Sequence, residues 1–461
     1  MNITLPHVLT SESLIHDSTV ICDLDFTLHN KNQILNRIQY WKEYFSKQNI
    51  KNIILMDSLN LNSIAIMFAC FENSITIHTI HAFPDSSEDR AELIILGRVH
   101  YKVALDTPKY LKINNYGEVV DYTASDYTPC HINLDHVWVS ARMPGYIEDE
   151  NIKHTSKTII YSSIASIPFH KEKQGFAGIA QLNHIGIIGP FVLGPVLAGA
   201  TIHSATTFAD LMFLADRGVL GLMALWGDQI NSMRDFSEEY YSKFKNYKFD
   251  LRRCAIATAG RSPSYSALQW VLNSHGTKLI SYYSNHRYIT PLFKLDIESY
   301  DFDFYSRDLG QLMDGIEYKI DDDNYILVKN VTNSPFIECD SDGWIKVGDL
   351  AVEESGKVYF KGTTKIKNCF QADIENTIHL LLEDQTVGFG DFAIRYDEIT
   401  DTLSVLVFND KMYDKMSFIK DAIHAKLTMF INQQNSINLG LHNVCIELAR
   451  PGVVKTRQPK G

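Results

Sequence analysis

The sequence predicts an α/β protein with largely parallel sheets, and three observations carry that expectation. Short apolar runs at Asn52–Met56, Leu93–Leu96 and 158–161 have the length and composition of buried strands. Between such runs lie amphipathic stretches, one of which places Ile34, Ile38, Trp41 and Tyr44 or Phe45 on one helical face. The two patterns alternate along the chain without an internal repeat, which favours strands joined by helical crossovers.

At 461 residues the chain is long enough for about two to four ordinary domains or one large multi-lobed enzyme. With 45% hydrophobic and 21% charged residues it has the make-up of a globular protein able to bury a large core. A net charge of −12 argues against nonspecific nucleic-acid binding, which needs a basic surface. The seven cysteines are scattered, odd in number and without a CxxC, so reduced thiols are expected rather than a disulfide framework or zinc site. The N-terminus lacks a basic segment followed by an apolar one. The glycine- and proline-rich apolar run at 185–200 reads as a buried helix and its entry, so a cytoplasmic protein without a membrane span is expected.

The stretch 342–375 is the most informative. Residues 345–350 and 357–361 read as strands around a polar turn, Glu353-Glu354-Ser355-Gly356. Gly362 breaks the second strand, and a helix begins near Ala372 with Ile374, Ile378 and Leu381 on one face. Asp349 follows a glycine at a strand end, where a carboxylate is most often a solvated turn residue and otherwise a ligand group. Asp321-Asp322-Asp323-Asn324 reads as a hairpin turn, and the clearest domain boundary falls at 362–367.

These residues carry a resemblance. Gly343-Trp344, Val347-Gly348-Asp349, the strand pair through Gly362 and then Ile374-Glu375 resemble, in order and spacing, the linker region of the adenylate-forming superfamily. That superfamily includes acyl- and aryl-CoA synthetases, nonribosomal-peptide adenylation domains and luciferases. Leu197-Ala198-Gly199-Ala200-Thr201, the segment from Asp308 to Ile320, and Thr258-Ala259-Gly260 extend the match collinearly. The resemblance implies a large N-terminal domain, 1–361, and a small mobile α+β C-terminal domain, 362–461. It also implies that Asp349 holds an ATP ribose, that His184 and Gly260 border an acyl pocket, and that Lys365 is the hinge. Near the C-terminus, Thr456 and Lys460 are similar to a P-x-T-x-x-G-K motif, which makes Lys460 the catalytic lysine of adenylation; such a charge acts electrostatically on the developing transition state.

Three departures accompany the match. The expected phosphate loop after a strand at 158–161 reads Tyr161-Ser162-Ser163-Ile164-Ala165-Ser166-Ile167-Pro168-Phe169-His170-Lys171. Ser162, Ser163 and Ser166 keep hydroxyls for ATP phosphates, but isoleucines replace both inner glycines, and β-branched residues resist positive φ. Arg287 stands where a glutamate holds Mg²⁺ and is able to meet phosphate charge, though equally an ion-pair residue. The arginine for the ribose is missing from Gly362-Thr363-Thr364-Lys365.

Two functions follow from the resemblance. One is an acid–thiol ligase that uses ATP and Mg²⁺ to activate a fatty or aromatic acid and passes it to CoA or an acyl carrier protein. The other is a catalytically impaired relative retained as a binding or scaffold partner in a biosynthetic pathway. A separate motif, Asp23-Leu24-Asp25-Phe26-Thr27 after an apolar strand, matches the aspartate pair of haloacid-dehalogenase-type phosphatases, without a partner lysine downstream.

Overall fold

A computed structural model describes residues 8–79, 92–96, 110–112, 125–142, 151–170, 175–179, 188–244, 247–259, 265–274, 276–297, 307–366, 369–375, 391–397, 402–408 and 444–448, with a few isolated positions between them. The architecture is mixed α/β: a large assembly of sheets and helices, then a smaller β-rich region near the C-terminus.

The N-terminal six-stranded sheet is parallel except at one edge. Its order is Tyr110–Lys112, Leu93–Leu96, Asn52–Met56, Thr76–Thr79, Val137–Arg142, Asn151–Thr155, with the last pair antiparallel. Two of its strands are the apolar runs expected as strands. The helix Lys31–Lys47 contains the anticipated stripe, with Ile34, Ile38, Trp41 and Phe45 fully buried, and an Asn30–Gln33 capping box fixes its start. It packs on Leu61–Asn73. Between these helices lies a buried ion pair, Lys42 Nζ to Glu72 Oε2 at 2.6 Å. Lys42 also donates to the Thr128 carbonyl, while Ser11 N and Tyr127 Oη donate to Glu72 Oε1, so charges held far from water keep their partners.

The nine-stranded sheet runs Gln311–Leu312, Tyr288–Ile297, Leu279–Asn285, Ala255–Ala259, Leu222–Trp226, Gly175–Gly178, Thr201–His203, Val20–Cys22, Leu28–His29. Its centre is parallel and its edges antiparallel. The parallel strands are nearly all apolar, as strands covered on both faces must be. A four-stranded antiparallel sheet follows, Glu317–Ile320, Tyr325–Lys329, Ile345–Glu354, Lys357–Gly362. The turn expected at 321–324 lies between its strands, and that expected at 353–356 narrows to Ser355-Gly356, since Glu353 and Glu354 still belong to the strand; Asn324, Ser355 and Gly356 are at positive φ. A three-stranded sheet, Asp391–Asp397, Thr402–Phe408 and Val444–Leu448, forms the C-terminal β-rich part.

One expected element is wrong. Residues 158–161 are not a strand; they belong to the helix Ser156–His170. A short apolar run does not distinguish strand from buried helix by periodicity, and here tertiary packing overrides the β-branched composition. Ile159, Ile160, Ser162, Ser163 and Ser166 are all buried, so this helix is enclosed on several faces. Among the described residues, no helix is long and apolar enough to cross a membrane. The described cysteines Cys22, Cys70, Cys130, Cys254, Cys339 and Cys369 form no disulfide.

Candidate nucleotide site

The site is organised around the hairpin of Leu279–Asn285 and Tyr288–Ile297. Tyr283 and Asn285, two residues apart on the first strand, converge on Asp349 in Ile345–Glu354. Tyr283 Oη donates to Asp349 Oδ2 at 2.7 Å and Asn285 Nδ2 donates to the same oxygen at 3.0 Å. Asn285 Nδ2 also reaches the Val347 carbonyl at 3.3 Å. Asp349 is 4% exposed, so a charge removed from water is held by two fixed donors. Burial, reinforced by the Asp349 charge, pushes the Tyr283 phenol well above its ordinary range and keeps it a proton donor.

Arg287 lies in the hairpin turn. Its N–H donates to Asn285 Oδ1 at 3.0 Å, and its guanidinium donates to the Lys346 carbonyl. The neighbouring His286 carbonyl accepts from His154 Nε2 at 2.8 Å, and Ser334 N donates to the Arg287 carbonyl. The turn is therefore pinned to the N-terminal sheet and to the loop before Asp349. His154 is fully buried, which pushes it down to about 4 despite the carbonyl bond.

The three serines expected to touch phosphate sit elsewhere in this chemistry. Ser162 Oγ donates to the Ile289 carbonyl at 2.8 Å, Ser163 Oγ to the Ile159 carbonyl at 2.8 Å, and Ser166 Oγ to the Ser163 carbonyl at 2.7 Å. All three are fully buried. The latter two are the back-bonds that serine makes inside helices. Across from them runs a glycine face. A Cβ added at Gly189 would stand 2.6 Å from Ser162 Oγ, and one at Gly194 would overlap Ser166 Oγ. Small residues on both sides let the helix Ser156–His170 lie against the π-helical turn Ile188–Leu193 and the helix Gly194–Ala198. His170 Nε2 closes the contact on the Pro190 carbonyl at 2.8 Å, and burial pushes this imidazole down to about 4.

Lys365 falls in a two-stranded ribbon, Lys365–Ile366 with Cys369–Phe370, and its ammonium donates to Asn324 Oδ1 at 2.8 Å. His184, Gly260, Lys171, Thr456 and Lys460 lie outside the described residues. Thus the structure brings Asp349 and Arg287 to one hairpin and binds Ser162 to that hairpin's second strand, while Ser163 and Ser166 face helix backbone. Sequence reasoning passed over Tyr283 and Asn285 as site residues, although their spacing of two along a strand was the available signal.

No family model and no curated protein sequence matches the chain. Solved structures do. The amide bond synthetase McbA from Marinactinospora thermotolerans matches at a TM-score of 0.69 and 11% identity, over 95% of this chain and 94% of that one. An anthranilate CoA ligase, AuaEII, in complex with anthranoyl-AMP gives 0.70 and 12%, over 96% and 94%. The o-succinylbenzoate CoA synthetase MenE from Bacillus subtilis, in complex with an acyl-adenylate intermediate, gives 0.70 and 13%, over 93% and 91%. The chain shares the fold of these solved structures.

Within that fold, Ser162 bonds to the hairpin strand, Ser163 and Ser166 bond to their own helix, and a guanidinium stands where the resemblance expects a metal ligand. Among the described residues, no group of three or more His, Cys, Asp or Glu side chains is placed to hold a cation. The Asp23 motif is likewise engaged within the protein. Asp23 accepts from His29 Nε2 at 3.1 Å on one oxygen, and from Ser204 Oγ and Leu61 N on the other.

Proposed function

We propose that this protein is an adenylate-forming-fold chain with impaired ATP-dependent chemistry, serving as a cytoplasmic binding or scaffold partner in a biosynthetic pathway. The observation that carries the reading is the helix Ser156–His170: where a glycine-rich phosphate loop is expected, buried serines pack on glycines. A loop wraps anions by presenting free N–H groups, whereas helix-interior N–H groups are already bonded. In this reading the chain divides into 1–361 and 362–461.

A second reading is favoured by the likeness to ligases over nearly the full chain and by the place of Asp349 on its strand. In it the chain is an acid–thiol ligase for a fatty or aromatic acid, with CoA or an acyl carrier protein as acceptor. Lys460 would stabilise charge at the α-phosphate, Asp349 would hold the ribose, Arg287 would meet phosphate charge, and His184 and Gly260 would border the acid. ATP and Mg²⁺ would supply the activation.

ATP–pyrophosphate exchange across a panel of fatty and aromatic acids, with calorimetric titration of Mg–ATP, separates the two. The first reading expects neither exchange above background nor binding heat. Acid-dependent exchange that disappears in Lys460→Ala would overturn it and establish the ligase.

A further inference from the structure

The segment after Gly362 is knitted to the four-stranded sheet. Gly362 sits at φ +94°, and a Cβ there would lie 3.0 Å from Gln371 Cβ and 3.1 Å from Ala372 N, so only glycine lets the helical residues 371–375 approach the strand end. From that helix Glu375 Oε2 receives Arg307 Nη2 at 3.1 Å, with the two side chains only 26% and 17% exposed. Glu375 Oε1 accepts from Gln371 Nε2 at 2.8 Å, and Gln371 Oε1 accepts from Thr363 Oγ1 at 3.1 Å. Lys361 Nζ meets Asp373 Oδ1 at 2.9 Å. The ammonium groups of Lys361 and Lys365 lie 5.7 and 5.0 Å from the Phe370 ring.

Arg307 itself is unusual. It is held at φ +53°, a conformation that L side chains rarely adopt. Its carbonyl accepts from Phe360 N at 3.0 Å, and its guanidinium lies 5.8 Å from the Phe360 ring. A strained backbone persists where surrounding contacts over-determine it, and here they aim the guanidinium at Glu375.

We propose that Arg307 and Glu375 form a charge latch that fixes the direction in which the chain leaves the four-stranded sheet. The described residues 362–366 and 369–375 are then a docked elbow whose release is controlled by ionic competition, in place of a free swivel at Lys365. Partial burial makes the pair stronger than a surface ion pair, yet enough solvent reaches it for salt to weaken it. The latch is independent of whether the chain binds ATP.

Hydrogen exchange on the full-length chain tests it, followed in peptides covering 369–375, with Leu61–Asn73 as an internal reference. Arg307→Gln and Glu375→Gln are each expected to speed exchange at 369–375 roughly tenfold at low salt, with the reference unchanged. The reversed pair, Arg307→Glu with Glu375→Arg, is expected to restore most of the protection. In the unmodified chain, raising ionic strength to about 1 M should speed exchange at 369–375 alone. Single variants without effect, or a reversed pair as exposed as the singles, would overturn the latch. Should a variant speed exchange in the reference helix too, the salt series on the unmodified chain decides: no salt response at 369–375 overturns the proposal, and a selective one supports it.

Discussion

The helix Ser156–His170 and the strand Ile345–Glu354 both bond to the hairpin at Leu279–Asn285 and Tyr288–Ile297, and both carry residues expected to meet a nucleotide. They differ in what their polar groups do. On the strand, Asp349 is a carboxylate gripped by donors from a neighbouring element, an arrangement independent of its own backbone hydrogen bonds. On the helix, Ser163 and Ser166 turn back on their own backbone and Ser162 bonds across to Ile289. The same oxygen chemistry is available in both places. In both the oxygens are buried and bonded to protein groups, and the element that carries them sets which groups those are.

Each region also contains a buried histidine, His170 at the end of the serine helix and His154 against the Asp349 hairpin turn. Both are pushed down to about 4 from 6.5 by burial, so between those values the unfolded chain binds protons that the folded chain refuses. Stability is therefore full above about 6.5 and falls as pH drops towards 4, by roughly 3 kcal/mol per histidine at most. This is the largest effect expected. Urea melts at pH 7 and at about 4.5 check it, and His170→Gln should remove part of the pH dependence, His136 and His203 also being pushed down by burial. Equal midpoints at both pH values would mean that neither region is closed as described.

Next in size is Asp349→Ala, which leaves the Tyr283 hydroxyl and the Asn285 amide buried without this acceptor. A loss of about 2–4 kcal/mol in denaturant unfolding is expected. Asp349→Asn should lose less, since its carbonyl oxygen still accepts. A small loss for the alanine variant would show that the strand region tolerates an open carboxylate site, which would sharpen the case for a ligand there.

On the helix side, Gly194→Ala places a methyl group against Ser166 Oγ and should destabilise by about 1–3 kcal/mol through overpacking. The smallest effect is Ser166→Ala, about 1 kcal/mol, because the serine bonds only within its own helix. Combining it with Gly194→Ala should recover part of the glycine variant's loss, since the colliding hydroxyl is gone, and a thermal melt of the double variant reads that coupling. Full additivity of the two changes would argue that the helix does not pack on Gly194.

Much of this was legible beforehand because it depends on local chemistry. The helix over Lys31–Lys47 follows from an apolar stripe, and the hairpins at 321–324 and 353–356 follow from turn residues. The linker around Asp349 follows from the order of its motifs. The serine segment was not legible in the same way, since eleven residues rich in isoleucine and serine serve as a strand and loop or as a buried helix. Arg307 was equally hidden, because its partner Glu375 lies far along the sequence.

The sequence by itself determined the fold class, the strand–turn pattern of the four-stranded sheet and the loss of the glycines that a phosphate loop requires. These follow from dihedral preferences and hydrophobic spacing, which act over a few residues. Only the tertiary structure decided where polar side chains point: the serines onto carbonyls beside Gly189 and Gly194, Asp349 onto Tyr283 and Asn285, Arg307 onto Glu375. A buried polar atom must find a partner wherever packing leaves one, and that partner is supplied by segments whose meeting no local pattern encodes.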